Sequence, residues 1–201
     1  MDLENEVFDR NGNDFYPYIK EHMEHLEAHL HGSDVAGSHF AEGAYICAKD
    51  LIDDVLHHVK DYEGKRKVIE IDVHPSELWD SDIVGYDGVI SLDELPEGTE
   101  VKQEERRGYM VNVVSGVPKK ETNHLVIVVG PLEEEGKHGF YTIFPGENAP
   151  RFPAGNTEDE IRANLQEWYK DDEGADIEGM VAENLKNKEY WDNHAFVKED
   201  E

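Results

Sequence analysis

The chain has 201 residues, of which 47 are Asp or Glu and 19 are Lys or Arg, so its formal net charge is −28. A field of this sign repels phosphate backbones and anionic lipid surfaces, which disfavours broad nucleic-acid or membrane binding. The single cysteine, Cys47, excludes an intramolecular disulfide framework and a zinc site built from cysteines. The first ten residues carry no apolar run, and no stretch reaches the length of a membrane span, so we expect a cytoplasmic protein.

Two helices are predicted in the N-terminal part of the chain. Apolar residues at Ile19, Met23, Leu26 and Leu30 follow the spacing of one helical face, which predicts a helix over residues 15–30. A similar pattern predicts a second helix over residues 44–59. The residues between them mix Gly, Ser, Asp and His without a period, so they are predicted to form a loop.

Strands are predicted where short β-branched runs are bounded by turn residues. The clearest runs occupy residues 67–73, 109–115, 124–129 and 139–144. Their short connections favour an antiparallel meander, and the last two runs are expected to be adjacent antiparallel strands in the sheet centre. A capping signal at Asn156 and Thr157 then predicts a further helix.

These elements together predict an α+β fold, in which N-terminal helices pack on an antiparallel β-meander of four or more strands, followed by a C-terminal helical extension. No flexible linker interrupts the sequence, so residues 1–201 are expected to form a single domain. Its core of helices and sheet is placed in residues 15–153 and the extension in residues 154–201. The sequence does not predict an oligomeric state.

Histidines are concentrated in the first predicted helix. His22, His25 and His29 follow steps of three and four, so they share one stripe of that helix. Such a stripe can place two imidazoles on one transition-metal ion, but histidines also occur at the boundary of amphipathic helices without a ligand role. The His-Glu-x-x-His signature is absent from the stripe. We therefore expect no metal and no cofactor.

The sequence lacks the glycine-rich phosphate-binding motifs of nucleotide-binding α/β folds and the Gly-x-Ser-x-Gly turn of α/β-hydrolases. The pair His31-Gly32, followed by a Gly-x-x-Phe-x-x-Gly-x-Tyr run at residues 37–45, resembles the segments with which ADP-ribosyltransferases contact their nicotinamide cofactor. An ADP-ribosyltransferase-like domain is therefore one alternative.

A broader resemblance lies between the sequence and a group of ribonuclease domains. Residues 121–129, a turn, and residues 140–150 with the run Phe144-Pro145-Gly146 resemble the last two strands of the barnase-EndoU-colicin-RelE group, which includes toxin and phage-associated domains. The order of a histidine-bearing helix, a loop, a second helix and a meander also resembles that group. The resemblance covers roughly residues 15–153.

The resemblance implies metal-independent cleavage of RNA. In that chemistry a histidine takes the 2′-hydroxyl proton, another acid protonates the leaving oxygen, and cationic or hydroxyl donors steady the phosphate. The matching positions are a histidine at His25, His29 or His39, the hydroxyl of Thr142, and a cation from Lys120 or His124. Each residue also has a purely structural interpretation, because a threonine suits a half-exposed strand face and His124 suits a strand edge.

Two kinds of partner follow from the charges. Lysine and arginine cluster near predicted strand ends at residues 65–67, 106–107 and 119–120, where a local basic groove for RNA is expected. The main alternative to an enzyme is a non-enzymatic interaction protein on the same scaffold, whose acidic surface binds a basic protein partner or only keeps the chain in solution.

Overall fold

The structure is a computed structural model, and it describes residues 8–10, 13–16, 29, 37–42, 64–73, 81–132 and 137–198. The strands of these residues are β1 (Phe8–Arg10), β2 (Asn13–Tyr16), β3 (His39–Phe40), β4 (Lys67–Asp72), β5 (Gly85–Asp87), β6 (Val89–Ser91), β7 (Val101–Arg106), β8 (Tyr109–Ser115), β9 (Lys120–Thr122), β10 (His124–Pro131), β11 (His138–Pro145) and β12 (His194–Lys198). The α-helices are α1 (Glu158–Trp168) and α2 (Ile177–Asp192), and Leu92–Glu94 form a 3-10 turn. Within the described ranges, no helix combines the length and hydropathy needed to cross a membrane.

The chain divides into two compact units, each built from two separate stretches of sequence. Unit 1 comprises Met1–Gly88 and Lys119–Asn148, and unit 2 comprises Val89–Pro118 and Ala149–Glu201. Unit 1 holds a five-stranded sheet in the order β1-β2-β11-β10-β4 and a three-stranded sheet in the order β3-β5-β9. Unit 2 holds a four-stranded sheet in the order β6-β12-β8-β7. The single-domain organisation stays a prediction.

Strands β10 and β11 form the interior of the five-stranded sheet. β10 pairs antiparallel with β11 on one side and with β4 on the other, so both of its edges are hydrogen-bonded. Residues 125–130 are all buried, and such an uninterrupted buried run requires that both faces of the strand are covered. The predicted antiparallel pairing of these two strands is confirmed.

Unit 2 buries aromatic residues on one face of its sheet. Tyr109, Val111 and Val113 alternate along β8, so their side chains share a face, and they pack against Trp191 of α2. Burial raises the pKa of Tyr109, and so does Asp192, which accepts a hydrogen bond from the tyrosine hydroxyl at 3.2 Å.

The two helices of unit 2 pack on each other through an apolar cluster of Ile161, Leu165 and Val181. The side chain of Thr157 accepts a hydrogen bond from the backbone N–H of Glu160 at 3.2 Å, which satisfies one of the free donors at the start of α1. The predicted capping signal and the helix that follows it are therefore confirmed.

The predicted α+β fold, with N-terminal helices packed on one meander, is wrong, because strands predominate over helices in the described residues. The described residues form three sheets, and their α-helices lie in the C-terminal part of the chain. Phe15 and Tyr16, predicted to begin a helix, belong to β2, whereas residues 17–28 and 44–59 of the predicted helices lie outside the described residues.

The predicted connectivity of the sheet and the predicted helical C-terminal extension also differ from the structure. β8 does not continue into β10 as a meander, since it pairs with β7 and β12 in unit 2. The C-terminal segment ends in a strand, because β12 lies between β6 and β8. The physical reason is that a period-2 pattern marks a strand but not its partner, and consecutive strands need not be neighbours in a sheet.

Candidate functional site

Unit 1 contains a polar pocket of about 450 Å³ where β10 begins. Its lining residues are Glu70, Asp87, Lys120, Thr122, His124, Glu147 and Asn148. They belong to β4, β5, β9 and β10 or directly follow β11, so both sheets of unit 1 contribute to it. A pocket at the ends of several paired strands has a rigid backbone and freely variable side chains, as functional sites commonly do.

His124 is held in a defined orientation at the pocket wall. Its backbone N–H donates to the hydroxyl of Thr122 at 3.0 Å, and its carbonyl oxygen accepts from the N–H of Gly146 at 2.9 Å. Its Nδ1 lies 2.8 Å from Oδ1 of Asp72, and because a carboxylate can only accept, Nδ1 carries the proton. The other ring nitrogen, Nε2, lies 3.7 Å from Oε2 of Glu70, beyond direct hydrogen-bond distance.

Asp87 joins β5 to the segment that follows β11. This carboxylate is 7% exposed, and its Oδ2 accepts the backbone N–H of Glu147 at 3.0 Å. Gly146 has a φ of +106°, and a Cβ at this position would lie 2.8 Å from the Asp87 carboxyl carbon. Only glycine fits here without displacing the carboxylate, so the position of the Asp87 side chain in the pocket lining depends on this residue.

Lys120 is the lysine of the pocket lining. It pairs with Asp87 in the antiparallel β5–β9 ladder, so the two side chains leave the sheet on the same side. The pocket therefore places one ammonium group among the carboxylates Glu70, Asp87 and Glu147. Its lining is net negative whether His124 is neutral or protonated.

The other basic clusters do not extend this positive charge. On β4, Lys67 is opposite Val129, whereas Asp72 is opposite His124, so the cluster at residues 65–67 lies at the far end of the strand. Five residues of strand separate the two positions, which is roughly 17 Å. The cluster at residues 106–107 belongs to unit 2. Of the lysines and arginines expected to form a basic groove, Lys120 is the one that lines the described pocket.

The structure separates the histidines that the resemblance assigned to one active site. His25 lies outside the described residues. His29 stacks on Phe144 with the ring centroids 5.2 Å apart, and its Nδ1 donates to the carbonyl oxygen of Ser38 at 2.8 Å. His39 is buried in β3, where its Nδ1 lies 2.8 Å from Nζ of Lys119. Neither His29 nor His39 lines the pocket.

Thr142 shares a sheet face with His124 but lies too far along the strand to act with it. Thr142 is opposite Val128 in β10, and His124 is four residues before Val128. Residues at even spacing share a face, and four residues of strand span roughly 14 Å. The Thr142 hydroxyl is also buried and has no hydrogen-bond partner within the described part of the chain. It cannot contact a phosphate that is bound at His124.

Lys120 and His124 are the expected site residues that the structure brings together. The sequence interpretation missed Glu70 and Asp72, which face His124 from β4. Their signal was the alternation in residues 68–72, where every second residue after Val68 is acidic. That alternation identifies an acidic strand face, but the register that sets it opposite His124 is a property of the folded sheet.

In the described ranges, no group of three or more His, Cys, Asp or Glu side chains is arranged to hold a metal ion. His22 and His25 of the helical stripe lie outside those ranges. Of the run that resembles ADP-ribosyltransferases, residues 37–42 are described, and they include β3, which pairs with β5.

Comparison of the chain with protein-family models, with curated proteins and with solved structures finds no match. The resemblance to ribonuclease domains therefore remains a hypothesis.

Proposed function

We propose that the pocket of unit 1 cleaves RNA by metal-independent, ribonuclease-like general acid/base chemistry. The observation that carries the proposal is the Asp72–His124 hydrogen bond in a pocket that Lys120 also lines. This combination supplies an oriented base and a cation, which are two of the three functions that such a reaction needs. The site differs from the one that the resemblance implies, because Thr142 is not part of it.

His124 is the proposed general base. Because Nδ1–H donates a hydrogen bond to Asp72, the tautomer that acts as the base has its lone pair on Nε2. In the reaction Nε2 takes the proton of a ribose 2′-hydroxyl, the 2′-oxygen bonds to phosphorus, and the bond from phosphorus to the 5′-oxygen breaks. The products are a 2′,3′-cyclic phosphate and a new 5′-hydroxyl end.

Lys120 is proposed to stabilise the extra negative charge on the phosphate oxygens in the transition state and to protonate the leaving 5′-oxygen. Its ammonium group carries both a charge and transferable protons. Lys120→Arg retains the charge but makes a poor proton donor, since a guanidinium is not deprotonated in proteins. If Lys120 donates the proton, Lys120→Arg is clearly slower than wild type although it keeps the charge, and Lys120→Met, which loses both functions, is slower still.

The acidity of the pocket determines which substrates are favoured. Its carboxylates and the overall charge of −28 repel a long polyanion, so a short ribonucleotide with one phosphodiester is favoured over a long RNA at low ionic strength. For the same reason, cleavage of long RNA should become faster as salt rises from roughly 10 to 150 mM, because the Debye length falls from about 30 to 8 Å. A nuclease with a cationic groove shows the opposite salt dependence.

The test is cleavage of a ribodinucleotide and of a transfer RNA in the presence of EDTA, with product ends identified by mass spectrometry. His124→Ala should lower the rate by roughly a hundredfold or more while the melting temperature stays nearly constant, because the imidazole acts on the transition state. The matched control is His138→Ala, which removes a histidine from the same sheet outside the pocket. Absence of cleavage in both substrates at all salt concentrations, or equal rates for the two variants, contradicts the proposal.

A second candidate function is supported by the three carboxylates of the pocket. Glu70, Asp87 and Glu147 favour a cationic group, such as a lysine side chain of a basic protein partner. In that case Glu70→Gln with Glu147→Gln abolishes partner binding, and His124→Ala leaves it intact. The same double substitution weakens the repulsion of RNA, so it raises ribonuclease activity only if the carboxylates repel the substrate without taking part in the chemistry.

A further inference from the structure

The surface at the end of helix α1 carries two exposed aromatic residues. Trp168, the last residue of the helix, is 64% exposed, and Tyr169, its C-cap, is 39% exposed. Large aromatic side chains are usually buried, and when they are exposed they are enriched at protein interfaces. The exposure of Trp168 therefore indicates an interface with another molecule.

The exposure of Trp168 follows from the geometry of the helix pair. Ile161, Leu165 and Trp168 are spaced by four and three residues, so they lie on one stripe of α1. The first two are buried against α2, where they contact Val181 and its neighbours. Trp168 continues the stripe beyond this apolar cluster. The indole is thus an exposed apolar surface that does not pack in this cluster.

The charge beside Trp168 is strongly negative. Asp171, Asp172 and Glu173 follow after Tyr169 and Lys170 and are all exposed. The turn that contains them is ordered, because the N–H of Asp172 donates to the carbonyl of Tyr169 at 3.0 Å and its Oδ1 accepts from Gly174 at 3.0 Å. These carboxylates are therefore held close to the aromatic pair.

Three of the four cations of the helix pair form ion pairs with acids outside the turn 171–173. Residues 156–192 contain twelve acidic and four basic residues. Arg162 forms ion pairs with Glu158 and Glu178, Lys170 with Glu167, and Lys188 with Asp192. The acids of the turn after Trp168 thus present negative charge that the neighbouring cations do not neutralise.

We infer that Trp168, Tyr169 and the acidic turn 171–173 form a docking surface for an arginine-rich segment of a partner protein. A guanidinium group stacks on the face of an indole and at the same time donates two parallel hydrogen bonds to a carboxylate. Unit 2 itself contains the stacking geometry, since the guanidinium carbon of Arg106 lies 4.2 Å from the ring centroid of Phe196. A lysine ammonium lacks the planar fork, so arginine is the favoured side chain.

The surface is independent of the pocket in unit 1, because all of its residues belong to unit 2. It stands whether or not the pocket cleaves RNA. The two conclusions are also distinguishable by experiment, since the carboxylates of the pocket can be neutralised without changing the surface around Trp168.

The test is fluorescence anisotropy with a fluorescein-labelled hexa-arginine peptide and a hexa-lysine peptide of equal charge, at 150 mM NaCl. Trp168→Ala should weaken hexa-arginine binding roughly tenfold and hexa-lysine binding much less, because the stacking contribution is lost. Trp168→Phe retains a ring and should restore part of the affinity. Met110→Ala is the matched control, since it removes another exposed apolar side chain of unit 2.

The contribution of the acidic turn is measured with two double variants of equal charge change. Asp171→Asn with Glu173→Gln should weaken binding clearly more than Glu183→Gln with Glu189→Gln. Glu183 and Glu189 lie about 9 and 18 Å along α2 from Ile177, its first residue. Binding should be unchanged in the pocket variant Glu70→Gln with Glu147→Gln. Equal affinities of wild type and Trp168→Ala, or equal effects of the two double variants in unit 2, overturn the inference and assign binding to the general negative field.

Discussion

His124 and Thr142 lie on the same face of the same sheet, yet their surroundings differ. The side chain of His124 is 28% exposed and lines a pocket, with Asp72 Oδ1 2.8 Å from its Nδ1 and Glu70 Oε2 3.7 Å from its Nε2. Thr142 lies roughly 14 Å further along, is 9% exposed, and its hydroxyl has no hydrogen-bond partner among the described residues. A shared strand face is therefore insufficient to make one site, because the position along the strand decides which side chains can act together.

The largest expected effect is the unfolding of the sheet that carries both His124 and Thr142. Ile127 is fully buried between Ile69 and Ile143, its neighbours in β4 and β11. Ile127→Asp should lower the free energy of unfolding by roughly 4 kcal/mol or more, because an unpaired charge is placed in the core. Urea denaturation measures the loss. Val68→Asp, at a position that is 37% exposed on β4, serves as the control and should cost much less.

An intermediate effect is expected from the glycine that supports the pocket at the His124 end. Gly146→Ala should lower the free energy of unfolding by roughly 1–3 kcal/mol through its positive φ, and its Cβ also displaces the Asp87 carboxylate. Gly98→Ala isolates the first contribution, because Gly98 has a φ of +87° and no atom within 4 Å of the added Cβ. Thermal denaturation of both variants compares them. Equal losses would show that Gly146 is required for its backbone alone and that Asp87 tolerates the methyl group.

The smallest expected effect concerns Thr142 and most directly tests the comparison. Thr142→Val replaces a buried, unpartnered hydroxyl by a methyl group of similar size, so the free energy of unfolding should rise by roughly 1 kcal/mol or stay constant. The rate of RNA cleavage should stay within about twofold of wild type, in contrast to the hundredfold loss for His124→Ala. A large loss of activity in a stable Thr142→Val protein would return Thr142 to the active site and contradict the proposed location.

Local patterns in the sequence predicted several elements correctly. Residues 125–129 are uniformly apolar and β-branched or leucine, and 139–144 follow after a short turn, so both strands and their pairing could be predicted. Thr157 and Glu160 identified the start of α1. The sheet in unit 2 could not be predicted in this way, because Ala195 pairs with Asn112 and no local pattern connects residues so far apart.

The site was partly predictable for the same reason. Lys120 and His124 lie close together in the sequence and next to an apolar strand, and the resemblance to ribonuclease domains marked both. Asp72 is 52 residues before His124, and its role depends on the register between β4 and β10. Thr142 is not among the residues that line this pocket, because a motif fixes the order of residues along a strand but not which of them reach the same pocket.

The interleaving of the two units has a consequence for biosynthesis. Strand β6 ends at Ser91 and its partner β12 begins at His194, so about 100 residues must be translated before the two can pair. At roughly 5–20 residues per second, the nascent chain carries β6 without this partner for roughly 5–20 s. β12 also lies beside β8, so a premature stop codon before residue 194 leaves two strand edges unpaired at once. Truncated translation products should therefore be recognised by chaperones and proteases rather than accumulate as shortened but folded protein.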